Sequence, residues 1–316
     1  MRLKGRLETG SRTGLRPVTA FGFFSCPATV PQNNFIMSEQ SEVKALTYTS
    51  YLEIDALLAL QRPRSQAPAA LNPAAAPPAG PPEHDEMLFI IIHQVYELWF
   101  KQMLHELDYL CNLLDAGDTP RVLSTLRRIL TILKTVVAQV DVLETMTPLE
   151  FNAFRGYLES ASGFQSWQFR ALEFALGHKR PGVFAHYPPE SNARRQLEAR
   201  YHAPSLWDHL LGYLAAAGYA VPVTLLQREA ILPLEPSPEL QAVLIDIYRT
   251  NPDLSRVCER LVDLDEGMQE WRYRHVKMVE RTIGHKAGTG GSAGVGYLAS
   301  TIRPLFPDLW AIRSRL

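Results

Sequence analysis

Two histidines stand on apolar helical stripes. Met268, Trp271, His275, Met278 and Thr282 recur at three- and four-residue steps, and so do Phe89, His93, Tyr96 and Phe100. A buried imidazole needs partners for its ring nitrogens, because an unsatisfied polar group costs about 1–3 kcal/mol. Two arrangements meet that need: a core histidine bonded to a carbonyl, or an axial ligand and a distal residue on either side of a haem iron. Arg155, set among Phe151, Phe154 and Tyr157, also has two readings. It is either a guanidinium that clamps a carboxylate through two parallel bonds, or a surface arginine lying along aromatic rings.

Other chemistries lack their residues. Five glycines in the nine residues Gly288–Gly296 suggest a loop that approaches a ligand closely, but no Gly-Lys-Ser/Thr ends it as a phosphate loop requires. Gly294-Val-Gly296 fits the dinucleotide fingerprint only loosely, and no hydrophobic strand precedes it. No glutamate is followed three residues later by histidine, as a di-iron bundle needs, and His-Glu-x-x-His is absent. Gly290-Gly-Ser292-Ala-Gly294 imitates a nucleophile elbow without the strand-to-helix turn that gives the elbow its meaning. Cys26, Cys111 and Cys258 are scattered and form no C-x-x-C, which removes the usual zinc-ribbon and disulfide frameworks.

The elements that must carry these residues read as helices throughout. Tyr48, Tyr51, Leu52, Ile54, Leu57 and Leu58 predict an amphipathic helix over Thr47–Leu60, capped by Ser50 or Thr49. Pro63–Pro82 holds seven Pro and seven Ala in twenty residues and reads as an extended linker that lengthens the tether of the preceding arm. The body then runs through helices over Met87–Leu114, Pro120–Met146, Pro148–Glu159, Phe164–Leu176, Leu206–Ala217, Pro238–Thr250 and Asp253–Ile283, the last with a kink. The few β-like runs, such as Val221–Leu225, contain proline. The fold class is therefore all-α. Its divisions are an N-terminal extension over 1–45, a helical arm over 46–62, the linker over 63–82 and an all-helical body over 83–316.

Composition bounds the rest. The 316 residues carry 32 Lys+Arg and 33 Asp+Glu, a formal charge of −1, so no global field favours nucleic acid or acidic membranes. With 46% hydrophobic residues the chain can bury a large core. Its longest apolar stretch, Met87–Phe100, contains His93 and Glu97 and falls short of the roughly 20 residues of a membrane span. The cysteine usage fits a reducing, cytoplasmic location. Arg2, Lys4, Arg6, Arg12 and Arg16 face a single acid, Glu8, near the start. That segment reads either as a targeting peptide, disordered outside the body, or as an upstream extension of a frame that truly starts at Met37.

The segments His84–Gln94, Glu97–Lys101, Phe154-Arg155, Ser160–Ser166, Trp271–His275 and Ile283–Leu298, in that order, resemble the tryptophan 2,3-dioxygenase family. The likeness runs from about Leu46 to the C-terminus, outside the Pro/Ala insert. It implies a helical haem-binding domain with an N-terminal arm, which inserts O2 across the indole C2=C3 bond of L-tryptophan to give N-formyl-L-kynurenine. It also implies one haem b per subunit, with ferrous iron for activity, and a homotetramer built as a dimer of dimers. On that resemblance His275 holds the iron, and Ser162 and Gly163 line the haem pocket. His93 is the distal catalytic residue and bonds the indole N–H. Arg155 clamps the carboxylate, Thr289 contacts the amino-acid head group, and Phe89 packs on the ring. Tyr48, Tyr51 and Leu52 complete the site of a neighbouring subunit. Phe151 stands at the carboxylate where many members carry a tyrosine, a loss of one hydrogen bond worth about 1 kcal/mol.

Overall fold

The computed structural model describes residues 45–65, 81–284, 286 and 295–316. The chain divides into two compact units, Met1–Leu52 and Glu53–Leu316. All described elements are helical, and no strand occurs among the described residues. In the first unit α1 (Tyr48–Tyr51) is capped by Thr47, whose hydroxyl accepts the Ser50 N–H while Ser50 Oγ accepts the Thr47 N–H. The cap is thus Thr47 rather than Ser50 or Thr49. Leu46, Tyr48 and Tyr51 are each at least 70% exposed. The single helix expected over Thr47–Leu60 is two short ones, because Glu53 takes a left-handed backbone (φ 51°) ahead of α2 (Ile54–Leu58).

The second unit is built around three long helices: α3 (His84–Asp115), α4 (Thr119–Leu143) and, far along the chain, α11 (Pro252–Ile283). Both α3 and α11 pack on α4. The starts of α4 and α11 have local causes. Asp118 accepts the Arg121 N–H with Pro120 in the first turn of α4, and Asn251 accepts the Leu254 N–H with Pro252 opening α11. Gly284, at φ 61°, ends α11, which runs unbroken over its 32 residues. Where α11 crosses α4, the missing side chain of Gly267 lets the backbone approach; a Cβ there would lie 2.7 Å from Leu133 Cδ2.

Smaller helices complete the body. They are α5 (Pro148–Arg155), α6 (Trp167–Ala175), α7 (Asn192–His202), α8 (Leu206–Ala216), α9 (Val223–Leu226), α10 (Pro238–Thr250), α12 (Val295–Ser300) and α13 (Pro307–Ala311). The proline-bearing run at Val221–Leu225 contributes the helical turn α9, not a strand. Helices α6 and α8 pack against α3, α7 against α6, and α10 and α13 against α11. Asp265, fully buried on α11, accepts the Leu305 and Phe306 N–H groups and the Trp310 indole N–H through one oxygen, fastening the C-terminus to the long helix.

Glu86, buried in the first turn of α3, accepts the Arg64 N–H (2.6 Å), the Ser65 N–H (3.0 Å) and the Ser65 hydroxyl (2.5 Å). The Glu83 N–H donates back to Ser65 Oγ at 3.1 Å. Chain entering and leaving the Pro/Ala-rich stretch is therefore pinned at one point. The greater part of the expected linker, residues 66–80, lies outside the described residues.

Candidate functional site

A cavity of about 260 Å³ opens among α3, α6 and α11, bounded by the ends of α4 and α5. A single ordered water needs only roughly 10–15 Å³ by the same measure, so this is space for a ligand and not a packing defect. Phe89, His93, Phe151, Arg155, Ser162, Gly163 and His275 all border it. Residues up to 186 positions apart in the sequence meet because α3 and α11 share α4 as a common support. Thr289 lies outside the described residues. Tyr48, Tyr51 and Leu52 belong to the first unit, where they are 75%, 70% and 41% exposed.

The α3 wall presents His93. Its Nδ1 lies 2.7 Å from the Phe89 carbonyl one turn earlier, so Nδ1 carries the proton and donates it to the backbone. One nitrogen is thus satisfied by a carbonyl, as the first reading of this histidine expects, and among the described residues Nε2 is left as a bare acceptor. Burial lowers the pKa, against the Phe89 carbonyl and Glu97, which raise it; the ring stays neutral near pH 7. Phe89 packs beside it, with ring centroids 4.1 Å apart, and also meets Phe151 at 5.8 Å and Phe154 at 5.4 Å. This is an aromatic wall with an acceptor at one edge.

Opposite in the sequence and on another wall, α11 presents His275. Its ring lies parallel to that of Trp271 one turn before (2° between planes, centroids 5.2 Å apart), which fixes the imidazole's orientation. Burial pushes its pKa down to about 4, with His93 and Arg170 adding to the effect. At neutral pH it is an uncharged ring, and it makes no hydrogen bond among the described residues. That is the protonation state a metal ligand needs. No group of three or more His, Cys, Asp or Glu side chains that could hold a bare metal ion occurs among the described residues. A single imidazole suits a metal that brings its own equatorial ligands.

Arg155 closes α5 and borders the cavity. Beyond it Glu159 has φ 49°, an unfavourable backbone for a residue with a side chain, and this turn redirects the chain into Ser160–Ser166. Ser162 Oγ accepts the Phe164 N–H at 3.3 Å, holding the short turn Gly163–Gln165 against the cavity. At Gly163 an added Cβ would meet nothing within 4 Å. The glycine thus keeps open space at the wall.

One part of the site was not legible in the sequence. Glu173, buried on α6, accepts from Arg170 (2.6 Å), Arg180 (2.7 Å) and Arg272 (2.8 Å), and Glu173, Arg170 and Arg272 border the cavity. Burial pushes the Glu173 carboxyl up, but the three guanidiniums outweigh it and hold it below the ordinary carboxylate range. Arg272 also donates to the Thr301 carbonyl and lies 3.4 Å from His178 Nδ1. The available signal was a glutamate and an arginine inside the otherwise apolar run Phe169–Leu176.

Comparison with known proteins now bears on this geometry. The family model described as tryptophan 2,3-dioxygenase matches residues 35–193 and 237–316. The chain belongs to the tryptophan 2,3-dioxygenase family. The tryptophan 2,3-dioxygenase of Herpetosiphon aurantiacus is 63% identical over 273 residues, 86% of this chain and 99% of its own length. That of Anaeromyxobacter dehalogenans is 56% identical over 86% of this chain and 97% of its own. The Bacillus cereus tryptophan 2,3-dioxygenase is 37% identical over 86% and 93%. The family match covers all the cavity residues named above, from Phe89 to Glu173 and from Trp271 to Thr301. Among the described residues no helix is long and apolar enough to cross a membrane.

Proposed function

We propose that this chain is a haem-dependent tryptophan 2,3-dioxygenase, which converts L-tryptophan and O2 to N-formyl-L-kynurenine. The observation that carries the reading is the pair of neutral imidazoles bordering one largely apolar cavity, one with a bare acceptor nitrogen and the other with no hydrogen bond among the described residues. The residues fit a haem. His275 would hold its iron, kept in orientation by Trp271, and Ser162 and Gly163 would line the haem pocket. When bound in the ferrous state, haem supplies the activation of O2 for insertion into the indole C2=C3 bond.

The chain's own residues then orient and enclose the substrate. Arg155 takes the carboxylate of tryptophan, for which a guanidinium has matching fork geometry. His93 Nε2 accepts the indole N–H, because Nδ1 is committed to the Phe89 carbonyl. Two anchors at opposite ends of the amino acid fix where its C2 and C3 lie, and Phe89 and Phe151 cover the ring and keep water out. In this scheme His93 orients the ring and is not an obligatory base. Thr289 contacts the head group from the glycine-rich loop. Phe151 offers apolar cover but no hydroxyl, so Arg155 carries carboxylate recognition on this wall.

The assembly proposed is a homotetramer, a dimer of dimers, in which Tyr48, Tyr51 and Leu52 reach the site of a neighbouring copy. Their exposure supports it, since large apolar side chains exposed together on one short segment mark a contact site. Light scattering tests the assembly. The chemistry is tested by absorption spectra of the purified, reduced protein with and without L-tryptophan, followed by admission of O2. A haem spectrum that responds to tryptophan, then appearance of N-formylkynurenine, is expected. A protein that stays colourless when supplied with haemin refutes the reading. Indoles without a carboxylate should compete poorly; equal competition removes the role given to Arg155.

A further inference from the structure

We infer that the α6 end of the cavity is a carboxylate site centred on Arg170, and that it receives a propionate side chain of the porphyrin; the inference rests on the haem reading above. Three guanidiniums converge on one carboxylate there, Arg170, Arg180 and Arg272 on Glu173, which leaves a surplus of buried positive charge. His178 adds nothing to it, since burial brings its pKa to about 4 and the ring is neutral. The other carboxylate bordering this region, Glu97, which accepts from the Gln168 side-chain amide at 2.8 Å, brings the count to two carboxylates against three guanidiniums, so an excess of one positive charge remains. A buried cationic surplus is stable only with an anion beside it.

The unpartnered atoms point the same way. Arg170 Nε, His178 Nε2 and the Tyr187 hydroxyl are buried and have no hydrogen-bond partner among the described residues. All three have a proton to donate: His178 Nδ1 is the atom facing the Arg272 guanidinium, so the ring proton sits on Nε2. Buried polar groups in folded proteins are normally paired, so donors without acceptors around a positive cluster indicate a missing group that only accepts. An ionised carboxylate is such a group. Arg170 is 6% exposed and borders the cavity, and its ring contacts with Phe164 and Phe169 fix the guanidinium in place. Arg272 has less to offer, because Thr301 and Glu173 already take its two terminal nitrogens. An apolar disc with carboxylates on one edge matches an apolar slot with cations at one end.

The test is a titration of the haem-free full chain with haemin and with haemin dimethyl ester, followed by the Soret band. Wild type should bind haemin about 10- to 100-fold more tightly than the diester, the range for a charge-assisted hydrogen bond. Arg170→Gln should lose most of that preference while binding the diester as wild type does, and Arg170→Lys should keep part of it. Equal affinity of wild type for the two porphyrins overturns the carboxylate site and leaves the haem reading standing, and this arm needs no variant to fold. Full preference retained in Arg170→Gln overturns the assignment to Arg170. Absence of a Soret band with either porphyrin overturns the haem reading itself.

Discussion

Replacing Glu173 by glutamine removes, with almost no change in shape, the carboxylate that Arg170, Arg180 and Arg272 share. The wild-type carboxylate accepts at 2.6, 2.7 and 2.8 Å from Arg170, Arg180 and Arg272, and its side chain is 1% exposed. Each charge-assisted bond is worth about 1.5–3 kcal/mol, but the three share one acceptor and do not add. Breaking a buried ion pair from one side costs about 3–5 kcal/mol, and that is the loss expected for Glu173→Gln at pH 7. For a body of this size it lowers the melting temperature by roughly 6–20 °C. Urea denaturation of the full chain, wild type beside variant, measures it. The pH dependence is fixed by the direction of the shift: the folded carboxyl titrates below its unfolded value of 4.5. Its contribution is therefore complete above about pH 5 and fades as pH falls through the folded pKa. The gap between wild type and variant should be flat from neutrality to about pH 5 and narrow below that. A difference under about 1 kcal/mol, or one that widens on acidification, refutes the account of the cluster.

Three further substitutions probe other parts of the structure. His93→Ala should lower kcat/KM by about tenfold, the value of one lost orienting hydrogen bond, with turnover still measurable; loss of all turnover while tryptophan still binds would make His93 more than an orienting group. Gly267→Ala should destabilise the body by about 1 kcal/mol because its methyl collides with Leu133, yet in a Leu133→Ala background the same change should stabilise by about 1 kcal/mol through helix propensity, and a denaturation cycle of the four proteins reads both signs. Glu159→Gly should raise stability by about 1 kcal/mol by relieving the positive φ; an unchanged or lower urea midpoint means that the backbone there is not strained.

Most of the helical scaffold and both histidines were legible because their signals are local. His93 and His275 stand on stripes whose three- and four-residue spacing marks the buried face of a helix, and both do face the cavity. Pro238–Thr250 begins and ends where the pattern placed it, and Pro252 opens α11 one residue before the expected start. Helix α7 went unseen: its eleven residues are mostly polar, with one fully buried side chain, Leu197, and a single apolar contact makes no stripe. Arg155 was visible as a residue type among aromatics, but whether it lay on a surface or beside a ligand cavity depended on where α5 docks. The arm was read as one helix because periodicity does not register a single residue such as Glu53 turning left-handed.

By itself the sequence determined that the chain is all-helical, which faces of its helices are buried and, through ordered motifs, which family it belongs to. These follow from neighbours three or four residues apart and from residue identity. Tertiary structure alone decided that Arg170 and Glu173 of α6 meet Arg272 of α11, and that Glu86 of α3 takes the backbone N–H groups of Arg64 and Ser65. The physical reason is that burial of a charge is worthwhile only where partners from distant segments arrive together. Where they arrive is set by how the helices pack, and no local pattern encodes it.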